Sequence, residues 1–312
     1  MNEMNSIFIT TLQATVRAGT PLLFAVLGDI FTERSGVMNL GLEGMMLVGA
    51  ISGFVVSYHT NNLLLAVLAA MIAGAVLGLV HAFFTITLRI NQVVSGLAIT
   101  MLGTGISGLW GKNYIGVVAK QFQVIELPVL SKIPYIGDIL FSHDLLVYVS
   151  YILVPIMWFY IYKTKPGMIL RAVGEAPDAA DARGINVFAI RYLYTIFGAS
   201  ITAIGGAYLS LAYTSMWIEN MTAGRGWIAI ALVLFATWDP AKALLGAYLF
   251  GGVTALGLRM QALGTTISSH ILMMFPYLLT VAVLVFTSTE KMKVKVGAPA
   301  ALGVPYSREE KS

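Results

Sequence analysis

Within ERSGVMNLGLEGMMLVGA, Glu33 to Ala50, two carboxylates, an arginine and an asparagine sit among four glycines in an otherwise apolar run. Asn39 and Glu43 are four residues apart, a spacing that puts both on one face of a helix, and Gly41 and Gly44 would let another backbone approach that face. An amide and a carboxylate so placed can bind backbone groups freed where a helix breaks, or they can line the path of a polar solute. Both readings stay open. A carboxylate facing hydrocarbon costs several kcal/mol, so Glu43 is expected to meet a protein partner, a polar cavity or the interface. Gln92 and Ser95, at the polar opening of a later span, and Trp227, beside another glycine-rich opening, are further candidates for the solute path. An indole face can stack on a planar solute, and an amide can bond to its hydroxyls.

Other chemistry finds little support. His59, His81, His143 and His270 are dispersed without HExxH or i,i+4 pairing, so no metal site is expected. No GxxxxGK[ST] is present to cradle a nucleoside triphosphate, and no nucleophile elbow has a convincing catalytic partner. The chain is therefore not expected to be an enzyme or to bind a cofactor.

The elements that must position these residues are membrane helices. Mean hydropathy is +0.82 and only 11% of residues are charged, a balance a water-soluble fold of 312 residues could hardly hold. From Leu63 to Leu88 there is no Asp, Glu, Lys or Arg, a run longer than the roughly 30 Å hydrocarbon core requires. With no cysteine, redox compartment is not readable. The pI near 9.2 does not imply nucleic acid, because the basic residues lie between apolar spans.

Apolar helical spans are expected at about Ile7–Phe31, Val37–Tyr58, Leu63–Leu88, Gln92–Gly111, Leu145–Tyr162, Arg191–Tyr213, Trp227–Trp238, Ala241–Met260 and Ile267–Thr287. The fold class is an all-α polytopic membrane protein of about nine helices, within a range of about eight to ten. The amino-terminal stretch lacks a basic n-region and reads as the first span rather than a signal peptide. One membrane domain, 1–290, accounts for nearly the whole chain, followed by a basic tail, 291–312. Gly36–Gly103 echoes Gly224–Leu284: a glycine-started broken segment, a small-residue helix, then a span opening polar, with NQVVSG from Asn91 against ISSH from Ile267. The copies enter from opposite sides, the inverted repeat of many transporters, in which Asn39 and Trp227 occupy matching places.

The polar stretch 163–191 is too organised for a tether. Pro177 can open a short helix, Asp178 and Asp181 suit its first turn, Gly184 suits its end, and Ala176, Ala179, Ala180 and Ala182 allow close approach of a partner. It carries Lys163, Lys165, Arg171, Arg183 and Arg191, and the tail carries Lys291, Lys293, Lys295, Arg308 and Lys311. Together these are ten of the chain's 19 basic residues, which places both segments in the cytoplasm.

The motifs TPLLFAVLGDIFTERSGVMNLGLEGMMLVGA (Thr20–Ala50), NQVVSGLAITMLGTG (Asn91–Gly105), RAVGEAPDAADARGINV (Arg171–Val187) and TAGRGWIAIALVLFATWDPAKALLGAYLFGG (Thr222–Gly252) give the chain a family resemblance. It resembles the ribose-permease-like permease subunits of ABC importers for simple sugars and nucleosides, and is most similar to the shorter permease of nucleoside importers. That resemblance implies a function: half of the translocation path for a nucleoside, or alternatively for a simple sugar. It also implies partners: a separate ABC ATPase that uses ATP and Mg, a longer sister permease in a heterodimer, and an extracytoplasmic solute-binding lipoprotein or periplasmic protein. Surrounding lipid is implied, nucleic acid is not, and the location is the bacterial inner membrane. The family's GENPxAAxxxGI loop stands here as Gly174–Ile185, with Ala176 replacing asparagine. ATPase coupling thereby falls to Gly174, Glu175, Pro177, Asp178, Ala180 and Gly184. A stand-alone secondary transporter or channel would instead need paired ionisable residues within spans, and Arg17, Glu43 and Arg259 are too few and too near span ends. With this threading, a reporter fused after Ser312 is expected to read as cytoplasmic. A cysteine at Gln121 is expected to be labelled by impermeant reagents in intact cells; labelling only after permeabilisation would invert the threading.

Overall fold

The structure, a computed structural model, describes residues 3–264, 268–287 and 297–308. Lys291, Lys293, Lys295, Lys311, Ser312 and the side chain of His270 lie outside the described residues. Helices dominate: α1 (Glu3–Arg34), α2 (Leu42–Thr60), α3 (Leu63–Ala82), α4 (Gln92–Gly111), α5 (Ile136–Leu140), α6 (Leu145–Lys163), α7 (Lys165–Glu175), α8 (Pro177–Ala182), α9 (Val187–Tyr208), α10 (Arg225–Phe235), α11 (Pro240–Ala262) and α12 (Ser269–Thr287). The strands β1 (Val124–Glu126) and β2 (Ser142–Asp144) pair antiparallel in the connection between α4 and α6. Every expected span coincides with a helix, so the chain is an all-α polytopic membrane protein. Among the described residues, seven helices are long and apolar enough to cross a membrane, and α12 adds 19 residues. Helix α10 has 11, about 16 Å, half of the hydrocarbon core.

Helix starts are written in the sequence as Asn or Asp. Asn62, Asn91, Asp144, Asn186 and Asp239 cap α3, α4, α6, α9 and α11, each accepting from amides of the first turn that would otherwise be orphaned. Among the longer helices, α2 begins at Gly41 and α10 at Gly224 without a side-chain cap from the residue at either start.

The inverted repeat is larger than the sequence echo. Helix α1 packs along α11 as α9 packs along α3, and α4 crosses α2 as α12 crosses α10. Exchanging α1, α2, α3, α4 for α9, α10, α11, α12 therefore maps the packing onto itself. The end of α1 lies against Gly174 at the end of α7, while α9 starts directly after α8, so α1 and α9 run in opposite directions. They cross where Gly28 meets Gly198: a Cβ on either would overlap the other's carbonyl oxygen. Small residues at such a crossing allow the close packing that replaces the hydrophobic drive in lipid. No motif marks α1 and α9 as equivalent, so the sequence reading began the repeat one helix late.

Leucine at Gly198 is expected to destabilise the fold by more than about 2 kcal/mol, since both backbones must move. The same change at Gly105, which has nothing within 4 Å, should be near neutral. Thermal denaturation in detergent, followed by size-exclusion chromatography, compares the two; equal midpoints would remove the crossing as a constraint.

Candidate functional site

Helix α1 stops where Gly36 turns with φ +91°, its amide bonding to Glu33 O at 2.9 Å and Ser35 Oγ bonding to Thr32 O at 2.6 Å. The chain then runs without helix until Leu42. Asn39 therefore does not share a helix face with Glu43 as the spacing predicted. It sits in the turn, 1% exposed, and its Oδ1 accepts from Gly41 N at 2.9 Å. A side chain that satisfies an amide two residues on favours a turn over a helix.

Glu43 lies in the first turn of α2, 5% exposed, and its carboxylate reaches out of its own helix to α10. Oε1 accepts from Thr222 Oγ1 at 2.5 Å and from Gly224 N at 2.8 Å, and Oε2 accepts from Gly226 N at 2.6 Å. It is the cap that α10 lacks, supplied across the repeat interface. The positive ends of α2 and α10 thus converge on one negative charge. Gly226 permits the approach, because a Cβ there would overlap the backbone of Glu43.

The other carboxylate of the opening stretch holds the other end of the same helix. Buried Glu33 accepts from Trp238 Nε1 at 2.6 Å, three residues beyond α10, and Arg34 Nη2 reaches Trp238 O at 3.3 Å. Glu33 and Glu43 bracket α10. The sequence reading missed Glu33, Thr222 and His81 as contributors. The signals were present: a carboxylate before the break, a threonine before the second glycine opening, and a lone histidine in the charge-free third span.

His81, fully buried on α3, bonds Ser95 Oγ at 2.9 Å through Nδ1 and Met38 O at 3.0 Å through Nε2. Gln92 Oε1 accepts from Met38 N at 2.6 Å. Gln92 and Ser95 thus converge with Asn39 and Glu43 on residues 38–43, where each satisfies or supports broken backbone. Trp227 follows Gly226 on α10 and remains 39% exposed.

At the end of the fold that carries α7 and α8, Thr164 caps α7, and Pro177 occupies the first turn of α8 with Asp178 exposed beside it. Gly184 closes that helix at φ +82° with open space around it. Ala180 is buried against Val173 and Val187. Gly174 O accepts from Ala301 N at 2.9 Å, and Glu175 Oε2 accepts from Ala300 N at 3.4 Å.

Residues 11–284 match the family described as the branched-chain amino acid transport system permease component. The chain belongs to that permease family. Over 96% of its length the permease is 41% identical to a protein named as a glucose ABC transporter permease, TsgC13, of Haloferax volcanii, covering 97% of that protein. It is 33% identical to the nucleoside ABC transporter permease NupC of Lactococcus lactis subsp. cremoris, over 99% of this chain and all of that one. It is 34% identical to the guanosine ABC transporter permease NupQ of Bacillus subtilis, over 94% and 95% of the two chains. The permease is thus a multi-pass transport component of an ABC system rather than an enzyme, and that family implies ATPase and binding-protein partners.

Removing the Glu43 carboxylate leaves three donors unmet, the buried Thr222 hydroxyl and Gly226 amide at roughly 1–3 kcal/mol each and the part-buried Gly224 amide at less. Glu43→Ala is therefore expected to lower thermal stability sharply and abolish transport. Glu43→Gln, which keeps one acceptor oxygen, should fall between it and the wild type. Equal stability of all three in a detergent melt would show that α10 needs no cap.

Proposed function

We propose that this permease pairs with a longer sister permease to form the membrane path of an ABC importer for a nucleoside. Full-length identity to two permeases named for nucleoside and guanosine transport carries the reading. The site agrees with it chemically. Trp227 offers an indole face beside two opposed helix starts, and stacking a base on such a face is worth about 1–3 kcal/mol. Polar groups of the 38–43 segment lie nearby for ribose hydroxyls, so Asn39, Glu43, Gln92, Ser95 and Trp227 form the proposed path.

ATP and Mg are used by a separate ATPase, since this chain carries no phosphate-binding loop. The ATPase docks on Gly174, Glu175, Pro177, Asp178, Ala180 and Gly184, and an extracytoplasmic lipoprotein or periplasmic protein delivers the solute to the opposite face. The charge distribution supports a cytoplasmic carboxyl terminus. A monosaccharide is the second reading, favoured by the 41% identity to the glucose-named relative.

The test is uptake of labelled guanosine, uridine, ribose and glucose by cells carrying the complete complex. Nucleoside uptake is expected, and Trp227→Ala should reduce it about tenfold, the loss of one stacking contact, with assembly unchanged. Glucose uptake that guanosine does not compete with would establish the second reading. A wild-type nucleoside rate in Trp227→Ala and Asn39→Ala would return both residues to architecture.

A further inference from the structure

The carboxyl-terminal stretch 297–308 has no regular secondary structure, yet it is seated on the cytoplasm-assigned end of the fold at every few residues. Ala301 N bonds to Gly174 O at 2.9 Å, at the end of α7. Two residues later, Gly303 N bonds to Gly36 O at 3.3 Å, in the turn that begins the broken segment. Val304 O accepts from Arg191 Nη1 at 3.1 Å, a guanidinium 2% exposed at the start of α9. Tyr306 is buried with Val173, Ala180 and Val187, its ring 5.4 Å from that of Phe188. Arg308 closes the far end on Asp181 of α8, Nη2 to Oδ1 at 2.8 Å.

From these contacts we propose that residues 297–308 are a coupling strap. It transmits displacement of α7 and α8 to the Gly36 turn, and through the short segment that follows to Glu43 and α10. The proposal rests on the reading that an ATPase docks at α7 and α8.

The geometry makes the strap more than a seam. The two amides that hold Gly174 and Gly36 are separated by one residue, so the chain between them has almost no slack. A movement of α7 by more than about 1 Å must then pull Gly36 or break one of the two bonds, because a hydrogen bond weakens steeply beyond its normal range. Gly36, at φ +91°, sits where a backbone rotation costs least. Helix α8 has six residues, too few to persist alone, and Ala180 and Asp181 give it two attachments to the strap, one apolar and one ionic. Load applied to α8 therefore enters the strap at 306–308 and leaves it at 303.

The test uses the whole complex in proteoliposomes with ATP inside. One chain ends after Val296; the other carries Tyr306→Ala with Arg308→Ala and keeps the strap backbone. Three quantities are read: ATPase retained on purification, ATP hydrolysis, and solute taken up per ATP. Both variants should retain the ATPase and its hydrolysis while uptake per ATP falls about tenfold, the size of a lost inter-site coupling. A wild-type ratio would overturn the strap, and if the truncated chain does not accumulate, the double substitution decides by the same ratio. Loss of the ATPase from the double variant would make the segment a docking surface and equally overturn transmission. If the wild-type permease itself retains no ATPase, the docking reading fails first and the strap falls with it.

Discussion

A helix that starts buried within a membrane protein leaves amide groups with no water to receive them, and α2 and α10 are two such starts lying against each other. One carboxylate resolves the problem for α10. Glu43 accepts from Thr222, Gly224 and Gly226 in a buried setting, where charge-assisted bonds are at their strongest and unmet donors at their most costly. The acid's own burial is compensated in turn by the positive ends of two helices. Neither break could persist alone: without Glu43 the start of α10 is orphaned, and without α10 the carboxylate is stranded.

From this tie the rest of the architecture follows. Because α10 is only 11 residues long, its far end also lies inside the protein, and Glu33 takes Trp238 there. The same stretch of α1 and its exit therefore determines both ends of the short helix. Around it, the exchange of α1 with α9 and of α3 with α11 surrounds the opposed helix starts with long crossing helices. Their contact at Gly28 and Gly198 is close enough to exclude any side chain.

Composition made the helical membrane class and nearly every span legible, since long charge-free runs have one physical outcome in lipid. The site was harder. Asn39 and Glu43 were visible as anomalies, but a four-residue spacing suggested a shared face, and the turn formed by Asn39 itself defeated that suggestion. The partner of Glu43 lies about 180 residues away in sequence, a contact no local pattern encodes. His81 read as a dispersed histidine because its role, bridging Ser95 and Met38, exists only once three elements are packed. The short α8 was legible for the opposite reason: its proline, its acidic first turn and its closing glycine are all local signals.

The polar groups of the 38–43 segment also bear on where a solute can pass. Met38 is held at both its amide and its carbonyl, Asn39 is turned onto Gly41, and Glu43 is committed to α10. Separating α2 from α10 would break three bonds to a buried carboxylate, so the two helix starts stay together while a solute passes the segment. The outer face of α10 carries no such penalty, since Trp227 and Leu234 stand exposed along it. An 11-residue helix with one face open cannot close a path by itself. In the proposed pairing, the sister permease supplies the complementary wall against that face.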